Sequence, residues 1–321
     1  MKLAALGEVM VELAPQQGQG TAVPLLAQSY AGDTYNTSIY MARSGVAVSY
    51  ATLLGDDPYS EQMLHSMAAE GIDTAAIEQL PGRCPGLYTI RNNADGERQF
   101  TYWRGESPAR ELFLDDARRE RLASRLRQMD CLYLSGITLA IMAPQAREHL
   151  LAFLAEFRRG GGRVAFDSNY RPRLWGSARD AQQAVDAVLQ QSDIALLTLE
   201  DEQLLWGDRT AGKCLERNGR YHLGELVLKR GPEPVLLQYD GTLSALEVPP
   251  VSDIVDTTGA GDAFNAGYLA ARLCGGEPEA AVAAGNRCAA QVIRYRGAII
   301  PAAQFTPCLE KGTGQGALAR A

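Results

Sequence analysis

Asp256-Thr257-Thr258-Gly259-Ala260-Gly261-Asp262 is a polar, glycine-containing run that ends on a carboxylate and leads into the small-residue stretch from Ala263 to Leu269. Thr257 and Thr258 can fold back onto backbone amides, and Gly259 and Gly261 permit positive φ angles that turn successive N–H groups toward one point. A helix opening at about Asp262 adds unpaired N–H groups and the positive end of its dipole. Such a corner binds phosphate oxygens or a developing oxyanion. The alternative is an ordinary helix capped by Asp262. A second polar cluster, Gly32-Asp33-Thr34-Tyr35-Asn36, stands at another predicted helix start, where Gly32 admits a close approach and Asp33 and Asn36 offer acceptors and donors.

The elements that must position these groups follow an α/β pattern. Leu3 to Leu6 reads as a buried strand ending at Gly7-Glu8, which makes Glu8 and Glu12 candidates for a cleft rim. Leu13 to Tyr30 suits a projecting loop or small strand. Val46 to Leu54 predicts a strand and Ser60 to Glu70 an amphipathic helix. Between Gly86 and Arg104 the period drops to two around a turn at Asp95-Gly96, so a hairpin is expected. With an odd loop count, Tyr88, Ile90, Phe100, Tyr102 and Arg104 share one of its faces. From Asp115 onward helices and strands alternate, with strands at 131–136, 164–167, 194–197 and 226–231, then a hairpin around Asp240-Gly241 and a helix from Glu277 to Arg294.

At 321 residues, with 46% hydrophobic and 21% charged residues, the chain suits one large α/β domain carrying a small appendage. A formal charge of -7 with scattered basic residues gives no support to nucleic-acid binding. The six cysteines contain no Cys-x-x-Cys, which indicates neither a zinc site nor a disulfide framework and fits a reducing cytoplasm. No stretch approaches the ~18 apolar residues that span a bilayer, so no membrane partner is expected. His65, His149 and His222 lie far apart and read as structural or surface residues. The absence of a Gly-x-x-x-x-Gly-Lys-Ser/Thr run excludes a P-loop.

The Asp256–Asp262 run closely resembles the C-terminal signature of the ribokinase/PfkB family of carbohydrate kinases, and Gly32, Asp33 and Asn36 resemble its N-terminal one, which grips the sugar. The resemblance covers most of the chain. It implies a ribokinase-like domain over residues 1–310, with a central mostly parallel sheet flanked by helices, lid segments at about 13–30 and 84–106, and a disordered tail at 311–321. It also implies that Asp262 is the catalytic base and that Gly259, Ala260 and Gly261 form the anion hole. An Asp often stands in the family where this chain has Glu12. Gly86-Leu87-Tyr88 with Tyr102-Trp103-Arg104, and Asp167-Ser168-Asn169-Tyr170-Arg171, resemble a subgroup acting on 2-keto-3-deoxygluconate.

By that resemblance Tyr88, Tyr102, Arg104 and Arg171 face an acid sugar, Asn169 and Arg171 lie near the nucleotide phosphates, and Lys229 and Gly231 border the adenine nucleotide. Thr198 and Asp201 replace the usual Asn and Glu of a magnesium-associated motif, leaving Asp201 as the Mg²⁺ candidate. Asp256 anchors the loop or helps hold a monovalent cation such as K⁺. The implied reaction is ATP-dependent phosphorylation of the C6 hydroxyl of 2-keto-3-deoxygluconate in sugar-acid catabolism, by a cytoplasmic homo-oligomer. The preference for an acid rests on charge, because the planar fork of Arg104 or Arg171 can bind a carboxylate bidentately. Kinases of neutral sugars or nucleosides, and a non-catalytic sugar-sensing protein, are the alternatives.

Overall fold

A computed structural model describes residues 1–16, 25–92 and 98–309. The expected tail at 311–321, the Asp95-Gly96 turn and part of the 13–30 segment lie outside the described residues.

Among the described residues thirteen strands fall into two sheets: β1 (Lys2–Leu6), β2 (Met10–Pro15), β3 (Leu26–Ala31), β4 (Ala47–Gly55), β5 (Ile77–Leu80), β6 (Leu87–Asn92), β7 (Arg98–Trp103), β8 (Cys131–Ser135), β9 (Arg163–Asp167), β10 (Ile194–Thr198), β11 (Glu225–Arg230), β12 (Glu233–Tyr239) and β13 (Thr242–Leu246). The large sheet runs β13-β12-β11-β10-β9-β8-β1-β4-β5. It is parallel from β11 through β5 and ends in an antiparallel β11-β12-β13 edge. β8 is buried along its whole length, as expected of a parallel strand covered on both faces. Alternation divides its core into two layers. Leu3, Ala5 and Tyr133 pack with the Asp33–Arg43, Ala260–Leu273 and Pro278–Val292 helices, whereas Ala4, Leu6 and Leu132 pack with the Asp116–Leu126, Pro144–Arg159 and Ala178–Leu189 helices.

Because the strands are parallel, their C-terminal ends gather on one side, where open α/β sheets place ligands. Glu8 follows β1, Asp167 closes β9, and Lys229 lies near the end of β11. Over this edge stands the second sheet, ordered β3-β2-β6-β7. Tyr88 pairs with Tyr102 and Ile90 with Phe100, so the four side chains share a face as the alternation predicts. The Tyr88 and Tyr102 ring centroids are 5.5 Å apart. The stretch expected as a projecting loop or small strand, Leu13 to Tyr30, contributes the end of β2 and most of β3. Strand β5 and the short helices Gly136–Ile141 and Ala211–Asn218 have no counterpart in the sequence reading. Each spans eight residues or fewer, too short for a clear period.

Candidate active site

The helix expected to open at about Asp262 begins at Ala260, with Gly259 as its N-cap at φ 76°. Gly259 is the position that needs glycine. Besides its left-handed φ, a Cβ there would sit 2.8 Å from Ala298 Cα. Gly261 does not adopt a positive φ, contrary to expectation, because it already belongs to the helix. Asp262 is therefore a first-turn residue and not the cap. The anion hole is also narrower than expected, since the Ala260 N–H donates to the Thr257 carbonyl at 3.2 Å. The N–H groups of Gly259, Gly261 and Asp262 take no backbone partner among the described residues.

Asp256 fixes the loop from one end. Its Oδ1 accepts the Thr258 N–H at 3.1 Å and the Thr258 hydroxyl at 2.8 Å, and its Oδ2 accepts the Gly297 N–H at 2.7 Å. Both oxygens are engaged by hydrogen-bond donors, which fits the loop-anchoring role of the two expected for Asp256.

Asp262 is half-buried, and its Oδ2 accepts the Asn36 side-chain amide at 2.8 Å. Burial first, then the negative charge of Asp33, push its carboxyl up to about 7, while the Asn36 hydrogen bond pulls the other way. A base in this range accepts a proton at neutral pH without being permanently protonated. The Asn36 amide, expected on the sugar, is thus given to the base. Its Oδ1 accepts the Gly32 N–H at 3.3 Å. Gly32 has an extended backbone and is required for space, because a Cβ there would lie 2.1 Å from the Glu8 carbonyl oxygen.

Below Asp262 lies a polar chain that sequence reasoning missed. The Thr37 hydroxyl donates to the Asp262 carbonyl at 3.1 Å and lies 3.4 Å from the Tyr133 hydroxyl. Asn265, fully buried, donates to the Tyr133 hydroxyl at 3.1 Å and to Asp167 Oδ2 at 2.7 Å, and accepts from Lys229 Nζ at 3.0 Å. Lys229 Nζ is also 3.6 Å from Asp167 Oδ1. Lys229 therefore places its ammonium among these core groups, 3.8 Å from where a Cβ on Gly261 would lie. Gly231, by contrast, occupies the exposed turn after β11 with φ 60°. The signal for Asn265 was available: a polar residue three positions after Asp262 shares its helix face.

The sugar-facing residues are held in pairs. Arg104 donates to Glu8, and both side chains are buried. Tyr88 donates to Glu12, whose other oxygen accepts the Ser29 hydroxyl at 2.8 Å. The Arg104 guanidinium carbon is 5.8 Å from the Tyr102 ring centroid, and its Nε is buried without a hydrogen-bond partner. Asn169 donates to Asp33 Oδ2 at 2.8 Å. Arg171 is largely exposed and donates to Asp201 Oδ1 at 3.3 Å. Burial pushes Asp201 up to about 6 against the pull of Arg171.

For a divalent metal, the one grouping of three potential ligand atoms among the described residues is Glu202, Asp208 and Cys214. Arg217 already donates to both carboxylates there, so its guanidinium stands where a cation would. The site around Asp262 has no preassembled carboxylate cage. That suits a Mg²⁺ ion brought in by phosphate oxygens and held through at most one or two protein carboxylates.

The family model described as pfkB family carbohydrate kinase matches residues 1–304. The 2-dehydro-3-deoxygluconokinase of Escherichia coli (strain K12) is 42% identical over 308 residues, covering 94% of this chain and 97% of that protein. Its namesake in Dickeya dadantii is 43% identical over 307 residues, covering 93% and 96%. A fructokinase of Klebsiella pneumoniae is more distant, 30% identical over 279 residues, with 87% and 86% covered. Among solved structures, a PfkB protein from Polaromonas sp. JS666 superposes with a TM-score of 0.80 at 25% identity, covering 91% of this chain and 96% of that one.

Proposed function

The chain belongs to the pfkB family of carbohydrate kinases, and on that footing we propose that it transfers the γ-phosphoryl group of ATP to the C6 hydroxyl of 2-keto-3-deoxygluconate. The observation that carries the chemistry is the Asp262 carboxylate, held by Asn36 and pushed up to about 7 by burial, at a helix start where the N–H groups of Gly259, Gly261 and Asp262 take no backbone partner among the described residues. Asp262 takes the hydroxyl proton, the resulting oxygen attacks the γ-phosphorus, and the bond to the ADP oxygen breaks. The N–H groups of Gly259, Gly261 and Asp262 meet the charge that gathers on the transferring group. Lys229 donates to Asn265 on the helix that carries Asp262. Magnesium on the triphosphate, when bound, neutralises part of its charge, and we assign Asp201 to its outer coordination.

The choice of an acid sugar is supported by the relatives' names and by Arg104. Its buried, unpartnered Nε is a donor that a substrate carboxylate would satisfy, and leaving such a donor unpaired costs about 1–3 kcal/mol. Arg171 is the second candidate, its guanidinium open to solvent beside Asp201. The small sheet acts as the lid, with Tyr88 and Tyr102 over the sugar. A cytoplasmic homo-oligomer completes the reading. A coupled ATPase assay over 2-keto-3-deoxygluconate, gluconate, fructose and ribose tests it. The expected result is strong preference for the keto-deoxy acid, and preference for fructose would leave only a sugar kinase.

A further inference from the structure

Away from the cleft, the Pro278–Val292 helix and the segment 301–309 meet over two thiols. Cys288 and Cys308 are both buried, and their Sγ atoms are 2.7 Å apart, roughly 0.7 Å longer than a disulfide bond. Cys84 and Cys274, by contrast, are exposed. The contact between 288 and 308 is fastened on both sides. Arg287 donates to the Cys308 carbonyl at 2.8 Å, Gln291 Nε2 donates to the Thr306 carbonyl at 3.0 Å, and the Thr306 N–H returns to Gln291 Oε1 at 2.7 Å. Nothing in the cysteine spacing announces this pair, since 20 residues and a change of direction separate its members.

We propose that Cys288 and Cys308 are a redox-closable pair whose disulfide staples the C-terminal segment to the Pro278–Val292 helix. Cys308 is the attacking thiol. Hydrogen bonds from Cys288 and from Gln291 Nε2 at 3.1 Å hold it below the ordinary thiol range, and exposed Thr306 and Pro307 flank it. With hydrogen peroxide as oxidant, the Cys308 sulfur attacks one oxygen, the O–O bond breaks, and a sulfenic acid and one water form. Cys288 then attacks the Cys308 sulfur, the S–O bond breaks, and a second water leaves. Two thiols and one peroxide thus give one disulfide and two waters, a two-electron exchange.

The staple bears on the anion-binding loop. The residues it closes include Gly297, whose N–H holds Asp256, and Ala298, which packs against Gly259. Tyr40 ties the same stretch, donating to the Ala298 carbonyl at 2.7 Å and accepting the Ile300 N–H at 2.9 Å, with the Phe305 ring tilted against it at 5.2 Å. Oxidation would lock the backing of the loop without touching a substrate-facing group.

The test is a peptide mass map of the full-length protein after hydrogen peroxide treatment and alkylation in denaturant, paired with a melting curve. The expected result is a Cys288–Cys308 crosslinked peptide two hydrogens lighter than its parts, lost on dithiothreitol, with a Tm about 5 °C above the reduced protein. Cys308→Ser should abolish both the crosslink and the rise. Full alkylation of both thiols, pairing with a different cysteine, or a linked form with unchanged Tm would overturn the proposal. The wild-type map and its reversal decide the linkage even if that variant fails to fold.

Discussion

Beneath Asp262 the polar groups form a chain through the core, running from Thr37 through Tyr133, Asn265 and Asp167 to Lys229. Across the cleft, Arg104–Glu8 and Tyr88–Glu12 stand as separate pairs, the first tying the end of β7 to the loop after β1 and the second joining neighbouring strands of the small sheet. The first region rests on one sheet and its helices, so its members support one another and move little. The second belongs to the small sheet and its link to β1, so a shift of that sheet loosens Arg104–Glu8 while the chain below stays closed. Rate should therefore reside on the Asp262 side and substrate choice on the Arg104 side.

The sharpest way to break this division is Asp262→Asn, which keeps shape but removes the base. kcat should fall by roughly 10²–10⁴ with affinities for both substrates within a few-fold, and near wild-type turnover would end the assignment. Stability should move oppositely. Since burial raises the folded carboxyl to about 7, above its unfolded value, ionisation costs stability as pH climbs between the two. The Asn variant should melt above wild type at pH 8, with the gap closing as pH falls below that window.

Gly259→Val comes next. It places a β-branched residue at φ 76° against Ala298 and displaces the loop amides, so kcat should drop by about 10²-fold or more in folded protein. An unchanged rate would mean the loop does not hold the transferring group. On the other side, Arg104→Leu would strand Glu8 in the interior, and Arg104→Lys is the cleaner probe because it keeps a cation for Glu8 and loses the fork. We expect a loss of about 10- to 100-fold in kcat/KM for the acid sugar, mainly in KM, with fructose turnover unaffected. A loss confined to kcat would move Arg104 to the catalytic side. The smallest effect belongs to Asn36→Ala. Removing its hydrogen bond takes away a contact that favours the ionised base, so the acidic limb of the rate profile should shift to higher pH while the plateau changes little.

What could be read in advance follows the same division. The parallel strands and long helices carry their periods over enough residues to be recognised, and the loop from Asp256 to Asp262 is contiguous, so its role is visible in one window. The Glu8–Arg104 pair joins residues 96 apart, and Asn265 to Asp167 joins residues 98 apart, distances at which no local pattern links the partners. For the same reason the bond from Lys229 to Asn265, 36 residues away, is not visible in one window. Gly261 misled for a different reason. A glycine permits positive φ without requiring it, and only the helix start at Ala260 decides between them.

The central claim is that Asp262 is a base tuned to neutrality, and the pH dependence of kcat/KM for 2-keto-3-deoxygluconate between pH 5 and 9 tests it most directly, measured in wild type and in Asp262→Asn. The account predicts activity rising with pH through about 7 in wild type and no such limb in the residual activity of the variant. A flat wild-type profile, or a limb that survives in Asp262→Asn, would contradict it.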